Sequence, residues 1–186
     1  MRRILIMLVF TILLLTGCSK TPTESLEGKT IEKKQKITSL KYENKQYRLK
    51  MDFPSNRTFK ENVYWSTVMF FTPEEENKTT KENLWITIKI INSWANLDSL
   101  YKENKEILQW ISNDFVIESE KDIKIDNYPA KQIQYAFSQE WYKIRQEQTL
   151  VIKWEILYMI NYTATQDTFN NYKKDIDKIV ESISIR

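Results

Sequence analysis

The chain reads as an α+β domain, an antiparallel β-sheet flanked by helices in an α/β/α sandwich. Three observations carry that reading. Segments rich in β-branched and aromatic residues follow one another in pairs, separated by Asn, Asp, Lys and Pro rather than by helical crossovers. One segment alternates strictly, with Leu84, Ile86, Ile88 and Ile90 on one face. Two other stretches carry an apolar stripe at helical spacing, one between the strands and one after them.

The chain opens MRRILIMLVFTILLLTGCSK. Arg2 and Arg3 form a positive region, Ile4 to Leu15 an apolar run broken only by Thr11, and Leu15-Thr16-Gly17-Cys18 closes it. The run is too short for a hydrocarbon core that needs about 20 residues. Basic, apolar and small residues in that order make a removable signal, and no A-x-A-like cleavage site is present. The pattern resembles the lipobox of bacterial lipoproteins. That resemblance implies cleavage before Cys18, a diacylglycerol on its sulfur, and residues 1–17 as signal peptide. The expected location is a cell membrane, lipid-anchored and facing outside the cytoplasm, inner or outer membrane being left open.

Residues 18–37 read as the lipidated N-terminus and a tether. Thr21-Pro22-Thr23, Gly28 and Glu32-Lys33-Lys34-Gln35-Lys36 leave too few apolar residues to join a core. A coil of that length spans about 25 Å. Residues 38–186 form the domain. Tyr47 to Phe53 is a strand ending at Pro54, Asn62 to Phe71 a second, and Leu84 to Ile91 a third, with Glu74 to Asn83 a hairpin loop. A helix follows over about Leu97 to Ser112, capped by Asn96 or Asp98, with Leu97, Leu100, Tyr101, Ile107, Leu108 and Ile111 as its stripe. Phe115 to Ile125 and Ala130 to Phe137 pair through Asp126-Asn127-Tyr128-Pro129. Tyr142 to Ile152 and Glu155 to Ala164 pair through Lys153-Trp154, and their runs Leu150-Val151-Ile152 and Ile156-Leu157-Tyr158-Met159-Ile160 are apolar on both faces, as in central strands. The last helix, Thr168 to Ser182, buries Phe169, Tyr172, Ile176, Ile179, Val180 and Ile183, with Gln166 to Thr168 as cap candidates.

The element order and several local stretches are similar to the PsbP/Mog1-like superfamily. Tyr47-Arg-Leu-Lys-Met-Asp-Phe-Pro54 looks like its opening strand and proline. Ile125-Asp-Asn-Tyr-Pro-Ala130 with Ile133 and Tyr135 looks like its later hairpin. Tyr158-Met-Ile-Asn-Tyr-Thr-Ala164, Phe169, Tyr172 and Ile179-Val-Glu-Ser-Ile183 are similar to its closing strand and helix. The Gly-Trp that often follows the first proline is replaced by Ser55-Asn56-Arg57-Thr58-Phe59. The resemblance implies an accessory protein with no shared catalytic set.

Composition removes many activities. Histidine is absent and Cys18 is the only cysteine, so His bases, Cys-His nucleophiles and internal disulfides are excluded. Glycine occurs only at Gly17 and Gly28, which excludes Gly-rich phosphate loops and leaves tight turns to Asn, Asp, Lys or Pro. The net charge of +3 includes Arg2 and Arg3, too balanced for a nucleic-acid footprint. No cofactor or metal site is expected. Glu74-Glu75-Glu76 with Glu82 lacks the alternating ligands of a calcium loop. Asp114, Glu118, Glu120, Asp122 and Asp126 offer carboxylates, yet no spacing selects an acid/base pair. The Asn56, Asn77 and Asn161 glycosylation matches read as chance.

Of six tryptophans, Trp65, Trp85 and Trp154 read as packing residues in or beside strands. Trp94, Trp110 and Trp141 sit at a strand end, off the helix stripe and in a hairpin turn, and are the candidate interaction residues. The expected function is a membrane-anchored, non-catalytic binding or assembly module of the envelope with an envelope protein partner. A small-ligand or glycan sensor and a carboxylate-dependent envelope hydrolase are the alternatives.

Overall fold

In the computed structural model, residues 36–72 and 82–186 are described. The expected signal, Cys18, the tether to Gln35, and Glu74-Glu75-Glu76 lie outside them. The described residues form β1 (Ser39–Asn44), β2 (Leu49–Pro54), β3 (Thr58–Val63), β4 (Ser66–Phe71), β5 (Asn83–Ile90), α1 (Leu97–Ile111), β6 (Asn113–Ile125), β7 (Tyr128–Gln139), β8 (Tyr142–Lys153), β9 (Ile156–Thr165), α2 (Phe169–Glu181) and β10 (Ser184–Ile185). Seven strands make one antiparallel sheet in the order β3-β4-β5-β9-β8-β7-β6. A second sheet has β2 between β1 and β10. No helix among the described residues is long and apolar enough to cross a membrane.

Strand alternation divides the core in two. On one face of the large sheet, Phe70, Ile86, Ile160 and Tyr162 pack with Phe169, Ile176 and Ile179 of α2 and with Leu49, Met51 and Phe53 of β2. On the other, Ile133, Tyr135, Phe137 and Ile144 pack with Leu108 and Tyr101 of α1. The two helices therefore cover opposite faces. Each fully buried aliphatic side chain, such as Ile176, contributes about 1.5–3 kcal/mol. β8 and β9 are central, as the apolar runs Leu150-Val151-Ile152 and Ile156-Leu157-Tyr158-Met159-Ile160 predict. Asn96 caps α1, its Oδ1 accepting Ser99 N–H at 2.9 Å.

The face under α1 also holds a buried amide ladder. Asn161, fully buried, accepts at Oδ1 from Gln146 Nε2 (3.1 Å) and Gln148 Nε2 (2.7 Å), and its Nδ2 donates to Met159 O. Gln148 Oε1 in turn accepts from Asn104 of α1.

Several boundaries differ from the sequence reading. The strand expected over Asn62 to Phe71 is a hairpin, β3 and β4, folded at Tyr64-Trp65. No Gly or Pro marks that turn. β1 buries only Tyr42 of its six residues and so lacks an apolar pattern, and β10 has only two residues. Turns are not confined to Asn, Asp, Lys and Pro: Arg48, Tyr64, Glu140 and Trp154 adopt positive φ beside Asp126 and Asn127. Thr168 makes no side-chain cap on α2; its hydroxyl pairs with Thr165 instead.

Candidate interaction surface

Register decides what stands at each end of the large sheet. At one end β5 finishes at Ile90 opposite Ile156, and Ile91 N–H donates to Glu155 O in the β8–β9 turn. The β3–β4 turn shares that end, since Thr87 Oγ1 donates to Trp65 O. The β1–β2 turn joins it: the Arg48 guanidinium lies 4.8 Å from the Trp154 ring centre, and Arg186 N–H donates to Arg48 O. The β6–β7 turn closes the group, with Asp126 Oδ2 accepting Ile185 N–H at 2.7 Å. Buried Lys153 reaches the Tyr128 and Trp154 rings and donates to Ile185 O.

This end is apolar at its rim. Ile90 is 81% exposed, Trp94 79%, Tyr64 65% and Trp154 58%. Tyr64 (φ 54°) and Trp154 (φ 55°) hold left-handed backbone, which costs a non-glycine residue about 1–2 kcal/mol. Cations over the Trp154 ring return about 0.5–1 kcal/mol each at an exposed site. Trp65 is exposed, and its ring meets Tyr64 at a tilt and Trp85 edge-on.

The structure separates the three candidate tryptophans. Trp94 belongs to the end just described. Trp110 closes α1 just before Asn113, which pairs with Ser138, and Trp141 tips the β7–β8 turn. Both are almost wholly exposed, and both stand at the opposite end. The two ends are a strand apart, about 40 Å for the twelve residues of β8. Sequence reasoning missed Ile90, Tyr64 and Trp154 as surface residues. Of the three packing tryptophans, only Trp85 is buried, its Nε1 donating to Thr163 Oγ1. The available signal for Trp154 was the missing glycine: an aromatic had to fill a turn position.

The β6 carboxylates are not gathered into one site. Asp114 accepts from Ser138, Glu118 from Arg145 and Gln134, Glu120 from Tyr101 and Lys105, and Asp122 pairs with Lys131. Burial pushes the Glu118 carboxyl up, but the Arg145 and Gln134 bonds outweigh it and hold it below the usual range. Tyr101 and Lys105 hold Glu120 low. Glu147, passed over in the sequence, is the opposite case. Burial pushes its carboxyl up against the pull of Lys173 at 3.2 Å. Glu82 is buried and accepts from Thr72 Oγ1, so it faces inward. Among the described residues no three His, Cys, Asp or Glu side chains cluster to hold a metal. A cleft of about 310 Å³ opens between α2 and the β1–β2 hairpin, lined by Asp52, Phe53, Pro54, Asp175 and Lys178.

The DcrB family model matches residues 61–182. No curated protein matches the chain. The structure is similar to the PsbP of Synechocystis sp. PCC 6803, CyanoP, with TM-score 0.62 and 14% identity over 89% of this chain and 100% of that one. It is similar to LpqN of Mycobacterium tuberculosis, described as involved in cell envelope biogenesis, with TM-score 0.58 and 11% identity over 81% of this chain and 91% of that one. It is also similar to the Ran-binding protein Mog1p of Saccharomyces cerevisiae, with TM-score 0.57 and 8% identity over 80% of this chain and 96% of that one. At these identities the likeness is one of fold, and the fold is PsbP/Mog1-like.

Proposed function

The chain belongs to the DcrB family, and from that premise we propose that it is a lipid-anchored, non-catalytic accessory module of the cell envelope. Cys18 carries the anchor, and the domain binds an envelope protein through the Trp110–Trp141 end. The observation that carries the reading is the exposure of those two indoles, 84% and 94%, at one end of a rigid sheet. Aromatic side chains held in water are expensive unless a partner covers them, and Trp is the residue that most often dominates an interface. The lipobox residues and the envelope role in the LpqN description add support.

The test has two parts. Cys18→Ala should abolish acyl labelling and move the protein to the soluble fraction. In-cell crosslinking of the lipidated chain should recover one dominant envelope protein, lost in Trp110→Ser/Trp141→Ser. Continued acyl labelling would refute the anchor. A dominant partner kept by that double variant would refute the surface.

One observation favours a second reading. Gln134 Nε2 donates to Glu118, and Gln134 stands opposite Glu147 in the β7–β8 register. Their environments push the two carboxyls in opposite directions, as in an acid/base pair. Turnover of an envelope glycan that disappears in Glu147→Gln would make the chain a hydrolase.

A further inference from the structure

We propose that the other end of the sheet, where Ile90, Trp94, Tyr64 and Trp154 are exposed, seats the domain directly on an anionic phospholipid surface. This goes beyond the function proposed above, which needs only the lipid on Cys18 to hold the chain at a membrane.

The sheet order supplies the geometry. β4, β5, β9 and β8 are successive neighbours, and strands lie about 4.8 Å apart. The Tyr64 turn, the end of β5 and the Trp154 turn therefore form a row about 15 Å long. Tryptophan and tyrosine settle at the headgroup level, where an amphipathic ring has both apolar and wet surroundings. Ile90 adds a purely aliphatic side chain to the row.

Charge selects an anionic surface. Lys45, Arg48, Lys89, Lys124 and Arg186 are exposed on the strand ends and turns of this end. Four carboxylates stand among them. Asp126 is occupied by Ile185 N–H, Glu61 by Tyr42 Oη and Glu43 by Lys50, and Glu155 is exposed. Among the described residues, Glu140, Asp114 and Asp167 stand at the opposite end against Lys143. Anionic headgroups would attract the first end and repel the second, which leaves Trp110 and Trp141 facing away from the bilayer.

The anchor can reach. β1 begins at Ser39, opposite Pro54, six residues from its turn at the basic end, or about 20 Å. Eighteen residues separate Cys18 from Lys36 (36 minus 18), and a chain of that length extends to about 60 Å.

The test uses the full lipidated chain reconstituted in vesicles of phosphatidylethanolamine and phosphatidylglycerol with brominated acyl chains. Bromine quenches only tryptophans that enter the bilayer surface. The expected result is strong quenching that falls with added salt and is weak in brominated phosphatidylcholine. Trp94→Ser/Trp154→Gly should lose most of it; glycine suits the left-handed turn, so the fold survives, as circular dichroism would verify. Trp110→Ser/Trp141→Ser should keep it. Lys89→Gln and Lys124→Gln should each weaken docking about fivefold. Equal quenching in phosphatidylcholine, no quenching in either lipid, or quenching that follows Trp110 and Trp141 would overturn the proposal. So would a protein crosslinked at Trp94 in place of lipid. Acyl labelling and the Trp110–Trp141 partner are scored separately, so either idea can fail alone.

Discussion

Asn161→Leu isolates the amide ladder. The two side chains share the same branched four-atom skeleton, so the substitution leaves little cavity. It removes the acceptor that Gln146 Nε2 and Gln148 Nε2 share, both in residues with about 2% exposure. A buried donor left without an acceptor costs about 1–3 kcal/mol. Two of them imply a loss of about 2–5 kcal/mol, offset slightly by the better transfer of Leu. The assay is urea unfolding followed by circular dichroism, with the midpoint expected to fall and the slope to stay constant. The triple variant Gln146→Met/Gln148→Met/Asn161→Leu should recover most of the loss. It removes the stranded donors together, and half-buried Asn104 can turn to water. If Asn161→Leu matched the parent, the ladder would not hold the face under α1 together. If the triple variant were no better than the single, the stranded donors would not be the cause.

Two further outcomes concern pH. Burial pushes the Tyr42 and Tyr158 phenols up to about 12, and the bond to Glu61 adds to the effect at Tyr42. The folded chain holds these protons more tightly than the unfolded chain does. Stability from this source is full below the ordinary value of 10.0 and is lost as pH rises through about 12. Tyr42→Phe should flatten that decline in alkaline urea titrations, and a decline unchanged by the substitution would contradict the assignment. Glu147 has the same sign at lower pH. Its raised carboxyl disfavours the folded state once pH exceeds its folded value, and the penalty disappears as pH falls toward 4.5. Glu147→Gln should therefore be the more stable chain at neutral pH, with the difference shrinking on acidification; Lys173 keeps Asp177 as a partner. A gap that widened on acidification would reverse the reasoning.

What the sequence made legible follows from burial. The α2 stripe was readable because Phe169, Ile176 and Ile179 are all buried and recur at helical spacing. β8 and β9 were readable as central because both of their faces are covered. The β3–β4 hairpin was not, because Tyr64-Trp65 looks like strand and turns only by accepting a positive φ at Tyr64. β1 and β10 were hidden because one is mostly exposed and the other too short for a period. Exposure of tryptophans was only partly legible. Trp85 and Trp154 both lie within two residues of an isoleucine, yet register turns one inward and leaves the other at a turn. That Trp94 lies apart from Trp110 and Trp141 depends on strand order, which no local pattern encodes.

The pairing of β2 with β10 has a consequence for synthesis. Asp52 N–H donates to Ser182 Oγ across 130 positions, and Leu49 pairs with Ile185. A chain synthesised N-terminus first delivers β1 and β2 early and their partner last. β5 likewise waits for β9: Trp85 bonds to Thr163, 78 positions on. The middle strands of the large sheet and the whole small sheet are thus completed only by the final third of the chain. Folding of this kind is slow to begin and late to commit, because distant segments must meet before either gains. For as long as β10 is missing, one side of β2 is an open row of donors and acceptors that a foreign strand can occupy. That edge therefore stays open until almost the last residues of the chain are made, and that interval is when proteases and chaperones would find it.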